Sequence, residues 1–180
     1  MKTKKLMAAV AVALTLCVTI GGTLAWLTDK TEEVKNTFTV GNVDISLEET
    51  TEDYKMVPGT EIAKDPTVTV EAGSEDCWLF VKVDESANLG DFITYTIADG
   101  WTPLSDVAGV YYREVSASDP EKSFGVLTDN KVSVKGEVTK AMMDAIENGT
   151  AQNPTLTFTA YAIQKSGFET AAAAWEEAVK

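Results

Sequence analysis

Histidine is absent from all 180 residues, and that one absence removes the zinc-protease H-E-x-x-H signature, Ser-His triads and Cys-His dyads together. Cysteine is nearly absent too. Of the two present, Cys17 sits in an uncharged apolar run and Cys77 in an alternating strand-like stretch, "DCWLFVKV". An exported product that sheds the first run therefore keeps one thiol and has no internal disulfide. No G-x-S-x-G, phosphate-cradling glycine loop or S-x-x-K occurs, so the motif-borne hydrolase and nucleotide chemistries have no foothold. Paired carboxylates are possible in so acidic a chain, but no pair is singled out. Basic side chains are in short supply, 15 against 28 acidic, for a net charge of -13. Such a balance repels nucleic acid and anionic lipid and favours solubility.

Charge of either sign is missing from Leu6 to Thr28, directly after Lys2, Lys4 and Lys5. The run is long enough to span a bilayer, but its apolar density lies in "LMAAVAVALTLCVTI" and then breaks at Gly21-Gly22-Thr23 before "TLA". Basic start, short apolar centre and small exit residue are the anatomy of a secretory signal peptide. The first charge afterwards is Asp29 rather than a basic stop-transfer cluster, which argues against a retained anchor. Leu16 precedes Cys17 where a lipidated cysteine wants a small neighbour. Cleavage is thus expected between Ala25 and Trp26, and removes three Lys and no acid. The remaining 155 residues carry 12 basic and 28 acidic side chains, a net charge of -16 on one domain-sized chain.

Past residue 34 the pattern is short Val, Ile, Thr, Phe and Tyr runs of period two, punctuated by Gly, Pro, Asn and Asp. It predicts strands over 36–49, with Gly41-Asn42 a bulge, and over 65–72, 77–85, 92–98, 109–115, 131–138 and 154–164. Seven strands without regular strand-helix alternation imply an all-β, antiparallel two-sheet sandwich of jelly-roll or immunoglobulin-like kind. In 77–83, Cys77, Leu79, Val81 and Val83 share one face and Trp78, Phe80 and Lys82 the other, one of which should line the core; Cys77 reads as buried and inert. Two short helices interrupt the strands. Thr139 caps "KAMMDAIENG", with Met142, Ala145 and Ile146 on one face and Gly149 as left-handed stop; Thr170 caps a C-terminal helix expected to dock through Trp175 and Val179. The domain plan is 1–25 signal peptide, 26–36 arm, 37–165 sandwich and 166–180 C-terminal helix.

Three features have the form of a site. "DESANLGD" places Asp84, Ser86 and Asn88 at alternate positions, but Leu89 stands where a calcium loop needs Gly and Tyr95 where it needs the bidentate Glu, so it reads as a polar turn. Trp78, Trp101, Tyr111, Tyr112 and Tyr161 would suit a sugar-binding face or equally a core. "NGT" at 148–150 is a sequon, meaningful only in a glycosylating pathway.

The segment "TLAWLTDKTEEVKNTFTVGNVDISL", 23–47, resembles the start of the bacterial TasA and camelysin type of exported protein. The matching positions are Ala25, the pair Trp26-Leu27, Thr28-Asp29, and the pattern Asn36, Phe38, Gly41, Asp44, Ile45, Leu47. The likeness continues in "MVPGTEIAKDPTVTVEAGSEDCWLFVKV", with its P-G and K-x-P-x-V steps, and in the closing "FTAYAIQ", and so runs through most of the chain. The resemblance implies cleavage by a SipW-type signal peptidase, a sandwich fold, and a structural role at the bacterial cell surface or in biofilm matrix fibres. It also brings a metalloprotease label, which the lack of histidine opposes.

Cleavage after Ala25 would expose an apolar tip and a polar arm. Such an arm can complete a neighbour's sheet, with Trp26 and Leu27 in a pocket and Val34 and Phe38 continuing the pairing or leading into the first strand. Head-to-tail addition of this kind does not close and makes filaments. The expectation is a secreted, self-associating structural protein with no cofactor, no metal, no nucleic-acid partner and no membrane contact beyond the uncleaved signal peptide. The competing readings are that residues 26–36 form an ordinary flexible lead-in or fold back on their own domain, that the chain is a monomeric adhesion or ligand-binding sandwich and, last, that it is a peptidase.

Overall fold

The strand Cys77–Glu85 organises the molecule, because its run of apolar residues leaves neither face for water. The computed structural model describes residues 42–50 and 55–180. Among these the strands are β1 (Ile45–Glu48), β2 (Glu61–Ala63), β3 (Thr67–Val70), β4 (Cys77–Glu85), β5 (Ile93–Thr94), β6 (Thr102–Pro103), β7 (Val110–Val115), β8 (Ser123–Gly125), β9 (Lys131–Val134) and β10 (Leu156–Gln164). The helices are α1 (Leu89–Phe92), α2 (Lys140–Glu147) and α3 (Ala171–Ala178), with a 3-10 turn at Thr128–Asn130. All pairings are antiparallel, in three sheets of order β10-β4-β7-β6, β1-β3-β8 and β2-β9-β5. The described residues all fall in one compact unit.

The first two sheets face each other as a sandwich. Cys77, Leu79 and Val81 of β4 meet Val68 and Val70 of β3 and Phe124 of β8, all buried, as period-two alternation on half-buried strands requires. Trp78 and Phe80, on the opposite face of β4, are equally buried, beneath Ala171, Ala174 and Trp175 of α3. The expectation that one face of β4 lines the core is therefore corrected: both do. The reason is α3, which roofs the outer face of the sheet so that aromatic residues there pack instead of facing solvent. Thr170 caps α3 by accepting from the Ala173 amide, and Trp175 sets its ring 5.3 Å from Phe80 and 5.1 Å from Tyr161, centroid to centroid. Val179 does not dock. It lies past the helix end and is 46% exposed.

The all-β sandwich with short helices and a C-terminal helix is as expected, and the third sheet is an addition. Its strands β2 and β5, like β6 and β8, are two or three residues long, too short for any periodicity to register. "VPGT" makes the turn into β2: Thr60 N–H donates to Val57 O at 3.2 Å, and Gly59 takes φ 76°, which only glycine adopts freely. The sheet covers a separate apolar cluster of Phe92, Val134 and Val138, against which α2 rests. Thr139 caps α2 through the Met142 amide and Gly149 ends it at φ 70°, both as read from the sequence. The predicted strand 92–98 is overruled in part. Leu89 and Phe92 are buried, so Leu89–Phe92 turns as a helix and only Ile93–Thr94 pair, with an isolated bridge at Ile97. The predicted strand 36–49 survives as β1, and Gly41 of its bulge lies outside the described residues. Elsewhere a close approach fixes one residue type: a Cβ on Gly109, at φ 74°, would stand 2.7 Å from Val83 O, the carbonyl of the neighbouring strand.

Candidate assembly groove

At one side of the sandwich the two facing sheets end in β1 and β10, which lie alongside each other. β10 is nine residues long and its register runs from Leu156↔Glu85 to Gln164↔Cys77, all on the β4 side. Among the described residues no strand pairs with its outer backbone edge, and none pairs with the outer edge of β1. Phe158, Ala160 and Ala162 point into the sandwich core while Tyr161 and Ile163 point under α3. The edge thus has ordered, apolar ground on both faces.

Between the two edges lies a groove of about 360 Å³ lined by Leu47, Glu48, Glu49, Lys64, Pro66, Leu156, Thr157 and Phe158. A cleft of about 490 Å³ continues it toward the third sheet, sharing Lys64, Leu156 and Thr157 and adding Met56, Ile62, Ile93 and Val132. Lys64 is its one buried cation, 8% exposed. Its Nζ lies 2.6 Å from Glu49 Oε1 and 5.5 Å from the Phe158 ring centroid, so carboxylate and ring together offset its loss of water. Its backbone amide donates to Asn130 O at 2.8 Å. Sequence reading did not single out Lys64 as a site residue. The signal was there in K-x-P-x-V: Lys64 enters the groove, Pro66 is fully buried at its floor, and Val68 is in the core.

The other sequence candidates resolve into structure. Cys77 is fully buried and its burial pushes the thiol up to about 11, so it is no thiolate at neutral pH. In the calcium-like stretch, Ser86 Oγ donates to Asn88 Oδ1 and accepts from the Thr155 amide, and Asn88 Nδ2 donates to Gln152 O at 2.6 Å. These side chains moor the loop to the start of β10. Tyr95 donates to Glu85, and burial first, then that bond, raises its phenol above the ordinary range. Trp78 and Trp101 are buried, and Trp78, Tyr112, Tyr161 and Trp175 form ring contacts under α3 rather than an exposed platform. In the sequon, Asn148 follows α2 and the Thr150 hydroxyl donates to Ala145 O. One polar site was not anticipated. The Arg113 guanidinium lies 3.7 Å over the Phe124 ring and 5.3 Å from Trp101, and its Nε has no hydrogen-bond partner. Ala25, Trp26, Leu27, Val34 and Phe38 lie outside the described residues.

Residues 1–78 match the family described as camelysin metallo-endopeptidase. Over that stretch the chain is TasA/camelysin-like. The match covers the first two strands, the K-x-P-x-V step and β3, and stops at Trp78 inside β4, so the groove's β1 side belongs to the matched part and β10 does not. No curated protein and no solved structure matches the chain. The family description implies a catalytic metal, and the donor set among the described residues does not fit one. It has no histidine, its one described thiol is sealed in the core, and no group of three or more Cys, Asp or Glu that could hold a metal ion occurs among the described residues. Nor is any described helix long and apolar enough to cross a membrane.

Proposed function

We propose that this TasA/camelysin-like chain is an exported structural protein of the bacterial cell surface or biofilm matrix. A SipW-type peptidase removes residues 1–25, and the freed arm 26–36 then inserts as a donor strand into the next subunit. The observation that carries this reading is the pair of edges: among the described residues β10 and β1 both leave their outer edges unpaired on the same side of the sandwich, and a groove of mixed polar and apolar lining lies between them at Leu156, Thr157 and Phe158. An added strand would complete the backbone pairing of β10 while its alternate side chains enter the groove. Trp26 and Leu27 are the anchors, each contributing on the order of 1.5–3 kcal/mol if fully buried. Until cleavage the signal segment holds the donor end at the membrane and blocks insertion. The role is not peptidase chemistry, since the donor set for a catalytic metal does not fit.

Sedimentation and electron microscopy of the processed protein test the proposal against Trp26→Asp/Leu27→Asp at equal concentration. Filaments in the first and monomers in the second are expected, with unchanged thermal unfolding. Equal polymerisation in both would rule out the arm as donor, and monomers in both would favour a secreted adhesion or ligand-binding sandwich. The same preparation should leave an unfolded protein substrate uncut. Hydrolysis that a chelator abolishes and that follows the protein through successive columns would instead establish the peptidase reading.

A further inference from the structure

The chain has five methionines, and the three beyond the first seven residues, Met56, Met142 and Met143, all pack into the small cluster under the third sheet. The two larger cores contain none. Each of the three is only partly buried. Cys77, the other oxidisable sulfur among the described residues, is fully enclosed. Among the described residues, solvent-borne oxidants therefore meet sulfur in one place.

That place holds an element with little else to hold it. α2 is eight residues long, too short to persist alone, and none of its residues is buried. Its local supports are the Thr139 cap and an exposed Lys140–Asp144 pair, each a small contribution. Its apolar attachments to Phe92, Val134 and Val138 are Met142, Met143 and Ile146, and Met56 packs on the same cluster from the turn before β2.

We infer that Met56, Met142 and Met143 are an oxidation site for hydroperoxides, and that their conversion releases α2 from the third sheet. In each step the thioether sulfur attacks the distal peroxide oxygen. The O–O bond breaks, an S=O bond forms, the sulfur is oxidised to sulfoxide, and the peroxide is reduced to water or an alcohol. A flexible apolar side chain becomes a strongly polar one that favours water over the apolar contacts of the cluster. Two of the three apolar attachments of α2 are lost in this way. The sandwich, whose cores carry no methionine, keeps its packing. The inference is independent of the fibre reading.

The test treats the full-length chain with hydrogen peroxide and follows it by peptide mass mapping and amide hydrogen exchange. An added short methionine-containing peptide serves as the reference for an unhindered thioether. One added oxygen at each of the three methionines is expected, with exchange across 139–149 accelerating about tenfold or more while β4 is unchanged. Methionine sulfoxide reductases should reverse both changes, and Met56→Leu/Met142→Leu/Met143→Leu, a near volume-conserving set, should show no peroxide-dependent exchange. The reductase arm makes the same discrimination without any substitution. Resistance of the three methionines under conditions that oxidise the reference peptide would overturn the inference. So would unchanged α2 exchange in the fully oxidised protein, or equal acceleration in the leucine variant.

Discussion

At Cys77 and Asp76, adjacent residues at the head of β4, burial and hydrogen bonding act in opposite directions. The Cys77 thiol is enclosed, and loss of water raises its pKa to about 11. Cys77→Ser should destabilise the fold by roughly 1–3 kcal/mol, because the hydroxyl enters an apolar site, as chemical denaturation would read. The native thiol should also react with a bulky disulfide reagent far more slowly than free cysteine at pH 8. Asp76 is exposed, and its carboxylate accepts from the Ala117 amide at 2.6 Å and from Ser116 Oγ at 3.0 Å. These bonds, the amide first, hold its pKa below the ordinary 3.8. A depressed carboxylate contributes stability that is present above its unfolded value and lost as pH falls through the folded one. Wild type should therefore lose melting temperature on acidification through and below pH 3.8 more steeply than Asp76→Asn, measured by thermal scans at each pH.

Among the elements, α3 shows how a helix of eight residues becomes a permanent part of a β protein. Thr170 starts it, but its stability comes from Ala171, Ala174 and Trp175 pressed on Phe80 and Tyr161. Trp175→Ala should cost about 3–5 kcal/mol by leaving a cavity over β4, whereas Val179→Asp should stay within about 0.5 kcal/mol because that side chain faces water. Comparable losses in the two variants, read by urea denaturation, would mean that the helix end docks after all. α2 is the contrasting case, capped equally well but with nothing buried, so its attachment rests on side chains that solvent reaches.

Over the whole molecule, net charge opposes assembly. On the proposed donor-strand reading, a chain beginning at Trp26 carries a net charge of -16, so such subunits would repel one another before association. The proposed polymerisation should accelerate as salt rises from about 0.01 to about 0.15 M, where the screening length shrinks from about 30 to about 8 Å, and turbidity or light scattering would follow it. A rate that is flat or falls with salt would mean that local charge pairs, not overall repulsion, govern association.

What was legible in the sequence was everything carried by local pattern. Alternation marked β4 to its end residues, Thr139 and Thr170 announced their helices, and K-x-P-x-V with the N-terminal pattern placed the chain near the camelysin type. Tertiary structure decided the rest. A strand's own residues do not say whether a distant helix covers its second face, so the double burial of β4 emerged only with α3. Strands of two or three residues have no period, so β2 went unseen, while β5 and β9 were read as parts of longer strands, 92–98 and 131–138, without the sheet they share. Whether β10 is an edge depends on which strands pair with which, and Lys64 meets Glu49 and Phe158 only because strands far apart in sequence converge at one seam. Local periodicity is written residue by residue, but an edge, a groove and a buried ion pair are properties of pairing between segments, and those exist only in the folded chain.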